Sequence, residues 1–241
     1  ACANIMLNSA VADTLRFFAD MLDASSDFDY TLHDIIRETI RHHKRIIFNG
    51  NGYDEAWIKE ATEVRGLLNY RTTPDCMPHL LDKKNVEMLT RQAVYSEAEL
   101  KSRCDIMLEN YNRIVIIEGN TMAGMARIHI APAVERYCAD LARDAAAKKS
   151  LDAGLTCSYE TDLVKKLSSL LDEIMIKIEA LEGALRLVGG TDDVIKKSEL
   201  IRDEMLDRMC ELRVVCDEAE VLTARSYWPF PTYGDLLYGV H

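Results

Sequence analysis

The 241 residues are 48% apolar and 29% charged, ordinary for a soluble globular protein and ample for a core. The net charge of −11 argues against sequence-independent nucleic-acid binding, which needs a basic face to displace counterions. No run of 18 apolar residues occurs, so a membrane-spanning helix is excluded as well.

Five Pro and 11 Gly leave few breaks, which favours long helices over a strand-and-turn fold. Seven cysteines, an odd number without a framework spacing or a secretory signal, predict reduced thiols in a cytosolic protein. The chain opens at Ala1 straight into helical sequence, as expected of a processed product or an excised piece.

Ile5, Leu7, Val11, Leu15, Phe18 and Leu22 recur at threes and fours, predicting an amphipathic helix over 4–22 with Asn4 as its N-cap. Ser25-Ser26-Asp27 reads as a turn, and a second helix is predicted over 31–47 with Leu32, Ile35, Ile36 and Ile40 on one face. It ends in Arg41-His42-His43-Lys44-Arg45, cations that suit the partial negative charge of a helix C-terminus. A phosphate or an acidic partner is the alternative use of that cluster.

Next comes Asn49-Gly50-Asn51-Gly52-Tyr53, two Asn-Gly pairs that predict a turn, since Gly and Asn tolerate the positive φ that other residues resist. It either cradles an anion or simply ends a helix. A phosphate-binding loop would also need a lysine and a hydroxyl after a strand, and these are missing. A short helix follows over 54–64 with Trp57, Ile58 and Ala61 inward and Gly66 at its C′ position.

Residues 70–78 read as irregular and 80–89 as short helical turns. Ser96-Glu97-Ala98-Glu99 is a capping box that starts a helix running towards Ser150, with a kink or break at Pro132. Ile114-Val115-Ile116-Ile117 suits a strand by propensity, but Leu108, Tyr111, Met122 and Met125 keep the helical period through it. Gly119 and Gly124 predict a close helix crossing there.

A loop over 151–160 precedes a helix over 161–188, carried by Leu163, Leu167, Leu170, Ile174, Ile178, Leu181, Leu185 and Val188. Gly189-Gly190 closes it and Thr191-Asp192-Asp193 caps the next, which runs to about Ala224. The pair predicts an antiparallel αα-hairpin with arms of about 40–50 Å at 1.5 Å per residue. The aromatic tail, Tyr227 to Tyr238, is not helical at first, since two prolines hold it extended, and it is apolar enough to need a docking surface. The expected organisation is therefore all-α: a helical region over 1–150, and a hairpin with docking tail over 151–241.

The residues alone assign no catalytic, cofactor-binding or metal position. Cys76-Met77-Pro78-His79 has metal-like spacing without a second ligand pair, and no Glu-x-x-His pair sits on a helix. No cysteine is followed by a convincing histidine partner. Acidic residues such as Glu160, with Lys165 nearby, and Glu199, with Arg202 and Asp203, read as solvated charged faces.

Four stretches together resemble one family. They are His42 to Tyr53; Arg65-Gly66-Leu67-Leu68-Asn69 with Arg71 to Asp75 and Pro78-His79-Leu80; Leu108 to Tyr111 with Thr121-Met122 and Ala126-Arg127; and Trp228 to Leu237. They are similar to segments of the type III glutamine synthetases, the large bacterial form. Glu118-Gly119-Asn120 and Tyr53-Asp54-Glu55 depart from the family pattern.

The resemblance implies the C-terminal region of an enzyme that makes glutamine from glutamate, ammonia and ATP with Mg or Mn. The family's metal and nucleotide residues lie in a sheet-rich part that precedes this one, so none carries over. The implied partners are that catalytic region and the neighbouring subunits of a homo-oligomer, with no nucleic acid and no membrane. A free-standing helical scaffold or adaptor is the alternative.

Overall fold

The computed structural model describes residues 2–239, and among them no strand occurs. The all-α expectation holds. Contacts gather the chain into two compact units, Ala1–Met107 and Leu108–His241.

The first unit begins with α1, Cys2–Asp23, which places Asn4 inside the helix rather than at its cap. The second helix, α2, Phe28–His43, starts three residues before the expected Thr31. Asp27 caps it by accepting the Tyr30 N–H at 3.1 Å, and a 3-10 turn, Lys44–Ile46, ends it. Asp54 caps α3, Glu55–Lys59, which widens into a π turn over Glu60–Val64. Gly66 follows at φ +62°, the left-handed conformation expected of a C′ glycine.

Thr72 caps α4, Thr73–Cys76, and α5 spans Lys83–Arg91. Asp13 of α1 accepts from Arg91 at 2.7 and 3.0 Å and from Gln92 at 2.8 Å, tying the first helix to the fifth. Leu89 and Leu100 are completely buried in this unit.

The boundary between the units falls within α6, Glu97–Met125. Its start is the expected capping box: Ser96 Oγ accepts from Glu99 N–H, and Glu99 Oε2 accepts from Ser96 N–H at 2.8 Å. Ile114 to Ile117 are helical, with Val115 inward and Ile114 and Ile117 out, so the apolar period outweighs strand propensity. Before Pro132 the helix loosens into a π turn, Ala126–Ile130, and resumes as α7, Ala131–Leu151. Proline brings no N–H to the ladder, and the wider turn absorbs that loss.

The loop over 152–157 leads to α8, Ser158–Gly189. After the turn at Gly190 the chain comes back as α9, Val194–Leu200, a π turn over Ile201–Met205, and α10, Leu206–Leu222. Asp193 caps α9 by accepting the Lys196 N–H at 2.8 Å. At roughly 1.5 Å per residue, α8 is about 48 Å long.

It packs on α7 along one flank and on α10 along another, so residues 150 and 151 mark a connection inside the second unit. Ile174, Ile178, Leu181, Ile201, Met205 and Leu212 are completely buried between them. Gly119 brings α6 against this core, since a Cβ there would lie 3.1 Å from Met205 Cε and 3.3 Å from Leu185 Cδ2. Gly124 has no such neighbour, so the close crossing is made at Gly119 alone.

Candidate functional site

The turn singled out by its Asn-Gly pairs is held from outside. Arg65 donates to the carbonyls of Arg45 at 3.2 Å and Ile47 at 2.8 Å, and pairs with Glu60 at 2.6 Å. Its guanidinium also sits 4.9 Å from the centre of the Trp57 ring, and Phe48 stacks on Trp57 at 3.7 Å. One side chain thus closes the end of α2 against α3.

Positive φ is not used here: neither Gly50 nor Gly52 adopts it, and Gly66 is the glycine that does among the described residues. Gly50 is needed for space, because a Cβ would meet Phe48 Cζ at 2.6 Å. Asn51 Oδ1 accepts the Tyr53 N–H at 3.1 Å, and the Asn51 carbonyl accepts the Asp54 N–H at 3.3 Å. Those donors face inward rather than towards a ligand, which removes them from an anion cradle.

The basic cluster behaves as a helix ending. Arg41 pairs with Glu38 at 3.0 Å, while His42 Nδ1 lies 2.8 Å from the Glu38 carbonyl. All five of its residues are exposed in the last turn of α2 or just beyond it.

The Cys76 to His79 segment builds local structure. His79 Nδ1 lies 3.0 Å from the Asp82 carboxylate and its ring stacks on Tyr70 at 4.2 Å. Cys104 donates to the Met77 carbonyl at 3.3 Å. Among the described residues no group of three His, Cys, Asp or Glu comes together as a metal site. Burial pushes the thiols of Cys104 and Cys138 up, and that of Cys216 to about 11. A thiol held protonated at neutral pH is a packing group rather than a nucleophile.

Glu160 departs from the solvated face predicted for it. It is buried at the head of α8 and pairs with Lys148 of α7, a partner 12 residues away that no local pattern marks. Its position was readable: Glu160, Leu163, Leu167, Leu170 and Ile174 form one helical row. The Lys148 ammonium holds the Glu160 carboxyl below its ordinary 4.5, and Glu160 raises Lys148 above its ordinary 10.5.

A depressed acid stabilises the fold above its unfolded pKa and loses that contribution as pH falls through the folded value. A raised base holds its contribution below its unfolded pKa and loses it as pH rises through the folded value. Urea unfolding should therefore show stability flat near neutrality and falling below pH 4.5. The Glu160→Gln chain should lack that component of the acid fall, leaving a shallower slope.

The tail docks on the second unit. Trp228 and Phe230 pack against its core, and the Tyr227 hydroxyl donates to the Asp140 carboxylate. Thr232 and Asp235 form a capping box that starts α11, Tyr233–Tyr238, a short helix after the non-helical first part of the tail. Between α6, α10 and this tail lies a groove of about 610 Å³ lined by Met122, Met125, Met209, Trp228, Phe230 and Leu236. Arg213 and Asp217, 3.3 Å apart, sit at its polar edge. Such a lining suits apolar groups, and Cys216 in its wall is the protonated thiol already described.

The molecule is thus an all-helical protein whose polar side chains are spent on caps, clamps and inter-helix pairs. Residues 31–149 match the family model described as the glutamine synthetase C-terminal domain. A glutamine synthetase of Butyrivibrio fibrisolvens is 34% identical over 86% of this chain and 29% of its own length. The type-3 glutamine synthetase of Dictyostelium discoideum is 27% identical over 97% of this chain and 33% of its own. For a glutamine synthetase of Bacteroides fragilis (strain YCH46) the figures are 25%, 99% and 34%. The chain belongs to the glutamine synthetase family through this C-terminal domain, and it spans about a third of the length of these relatives.

Proposed function

We propose that this chain is the C-terminal helical region of a type III glutamine synthetase, bracing a catalytic region and contributing to contacts between subunits of a homo-oligomer. The parent enzyme joins ammonia to glutamate with ATP and Mg or Mn, and works in the cytoplasm. The observation that carries this is the coverage: nearly all of this chain matches about a third of each glutamine synthetase.

The polar chemistry agrees with a bracing role. Arg65 holds carbonyls and a carboxylate of its own chain, and Lys148 and Lys177 each pair with a glutamate of a neighbouring helix. Titration calorimetry with ATP and magnesium tests the absence of a nucleotide site. The 241-residue chain should release no binding heat, and saturable binding would refute the assignment of ATP chemistry to the rest of the parent.

A further inference from the structure

Within the first unit, α1 leaves an apolar stripe of its N-terminal half open to solvent. Helices in soluble proteins turn their apolar stripe towards the core and their polar stripe towards water. Here Ser9 is buried, while Leu7, Val11 and Leu15, at i, i+4 and i+8, are 66, 58 and 61% exposed. Phe17, 60% exposed, lies about 80° round the helix from Leu7 at 100° per residue and borders the adjoining groove. Residues 3–12 carry no charged side chain at all, so nothing interrupts the stripe with hydration.

Beside it a groove of about 600 Å³ opens between α1 and α2, walled by Phe17, Phe18, Met21 and Ile35. Single exposed apolar residues are normal on a protein surface. A continuous uncharged helix face leading into an apolar groove marks a place that another body covers.

Both α2 and α5 already pack on α1, the latter through Asp13 and Arg91, which leaves this one face open. No helix of the described residues is long and apolar enough to cross a membrane. The relatives supply the occupant, since about two-thirds of their length lies outside the match to this chain.

We propose that the Leu7–Val11–Leu15 face of α1, with the adjoining α1–α2 groove bordered by Phe17, is the seat on which the remainder of the same polypeptide folds. This inference rests on the parent-enzyme assignment above. It predicts that the open stripe of α1 is set by a core the isolated chain does not contain. Part of the helix's apolar surface already serves its own unit, through half-buried Ile5, Met6, Phe18 and Leu22, and the open stripe serves the rest of the enzyme.

The test introduces Leu7→Asp, Val11→Asp and Leu15→Asp together, and in parallel the milder set of three alanines, which keeps helix propensity high. Each set is placed in the 241-residue chain and in the polypeptide of the complete reading frame. Melting temperature is read for both lengths, and glutamine formation for the longer one.

The seat predicts that both sets leave the 241-residue chain's melting unchanged. In the complete polypeptide the aspartates should cost at least tenfold in activity and lower the melting temperature, with the alanines intermediate. Equal stability and activity of the complete aspartate variant would overturn the seat. So would a dimeric 241-residue chain that the aspartates render monomeric while the complete polypeptide is untouched, because the occupant would then be a second copy. If the unaltered complete polypeptide forms no glutamine, the enzyme assignment falls, while its melting temperature still decides the seat.

Discussion

Replacing Ile178 by Ala should destabilise the chain by about 2–5 kcal/mol, the usual range for emptying a fully buried branched position. Ile178 has no exposed surface and lies in the α8 row that packs against α7 and α10. The surrounding side chains belong to three helices, so collapse around the void requires several of them to move together. Two residues earlier on the same helix, Ile176 is 62% exposed. Ile176→Ala should change stability by less than about 0.5 kcal/mol, as expected for a surface position. Urea unfolding of the pair measures the contrast directly. Similar costs at 176 and 178 would mean that α8 does not present the row described here.

Removing Tyr227 to His241 should cost about 1.5–3 kcal/mol, taking roughly half the burial energy of a large apolar side chain for each of Trp228 and Phe230. The truncation also strips the Tyr227 donor from Asp140 and the Asp235 partner from Arg225. It would open the Met122, Met125 and Met209 lining to water. Thermal unfolding and dye binding to apolar surface should report both effects. An unchanged melting temperature in the truncated chain would mean that the tail's contacts with this unit carry no stability. Leu236 borders the groove while Leu237 and Tyr238 remain exposed on α11, so the tail's inner half holds the unit and its end faces away.

Long-range helical periodicity was the most legible signal. The row from Leu163 to Val188 locates α8 and its buried face, because a helix of this length repeats its message many times. Local chemistry was legible too: Ser96 with Glu99, Asp193, Gly66 and Pro132 each act within a few residues of themselves.

What the sequence concealed depends on partners distant along the chain. Glu160 looks like any surface glutamate until α7 brings Lys148 to it. Arg65 reads as one more cation, yet it closes carbonyls 18 and 20 residues away. The Asn-Gly pairs mark the turn itself, but not how it is built. Asn51's side chain makes the turn by hydrogen bonding, so the glycines do not need the left-handed conformation they permit. The π turns at Ala126–Ile130 and Ile201–Met205 leave no compositional mark, being small adjustments of register inside otherwise regular helices. Functional chemistry was faint because the side chains are committed to holding helices together; the family resemblance, carried by scattered short segments, said more than any one cluster.

The central claim is that this chain is the helical C-terminal part of an enzyme whose chemistry lies elsewhere in the same polypeptide. Glutamine formation from glutamate, ammonia and ATP with magnesium, assayed side by side for the 241-residue chain and for the product of the complete reading frame, tests it most directly. The account predicts turnover by the complete product and none by the 241-residue chain. Turnover by the 241-residue chain alone, or a complete reading frame that begins at Ala1 and forms no glutamine, would contradict it.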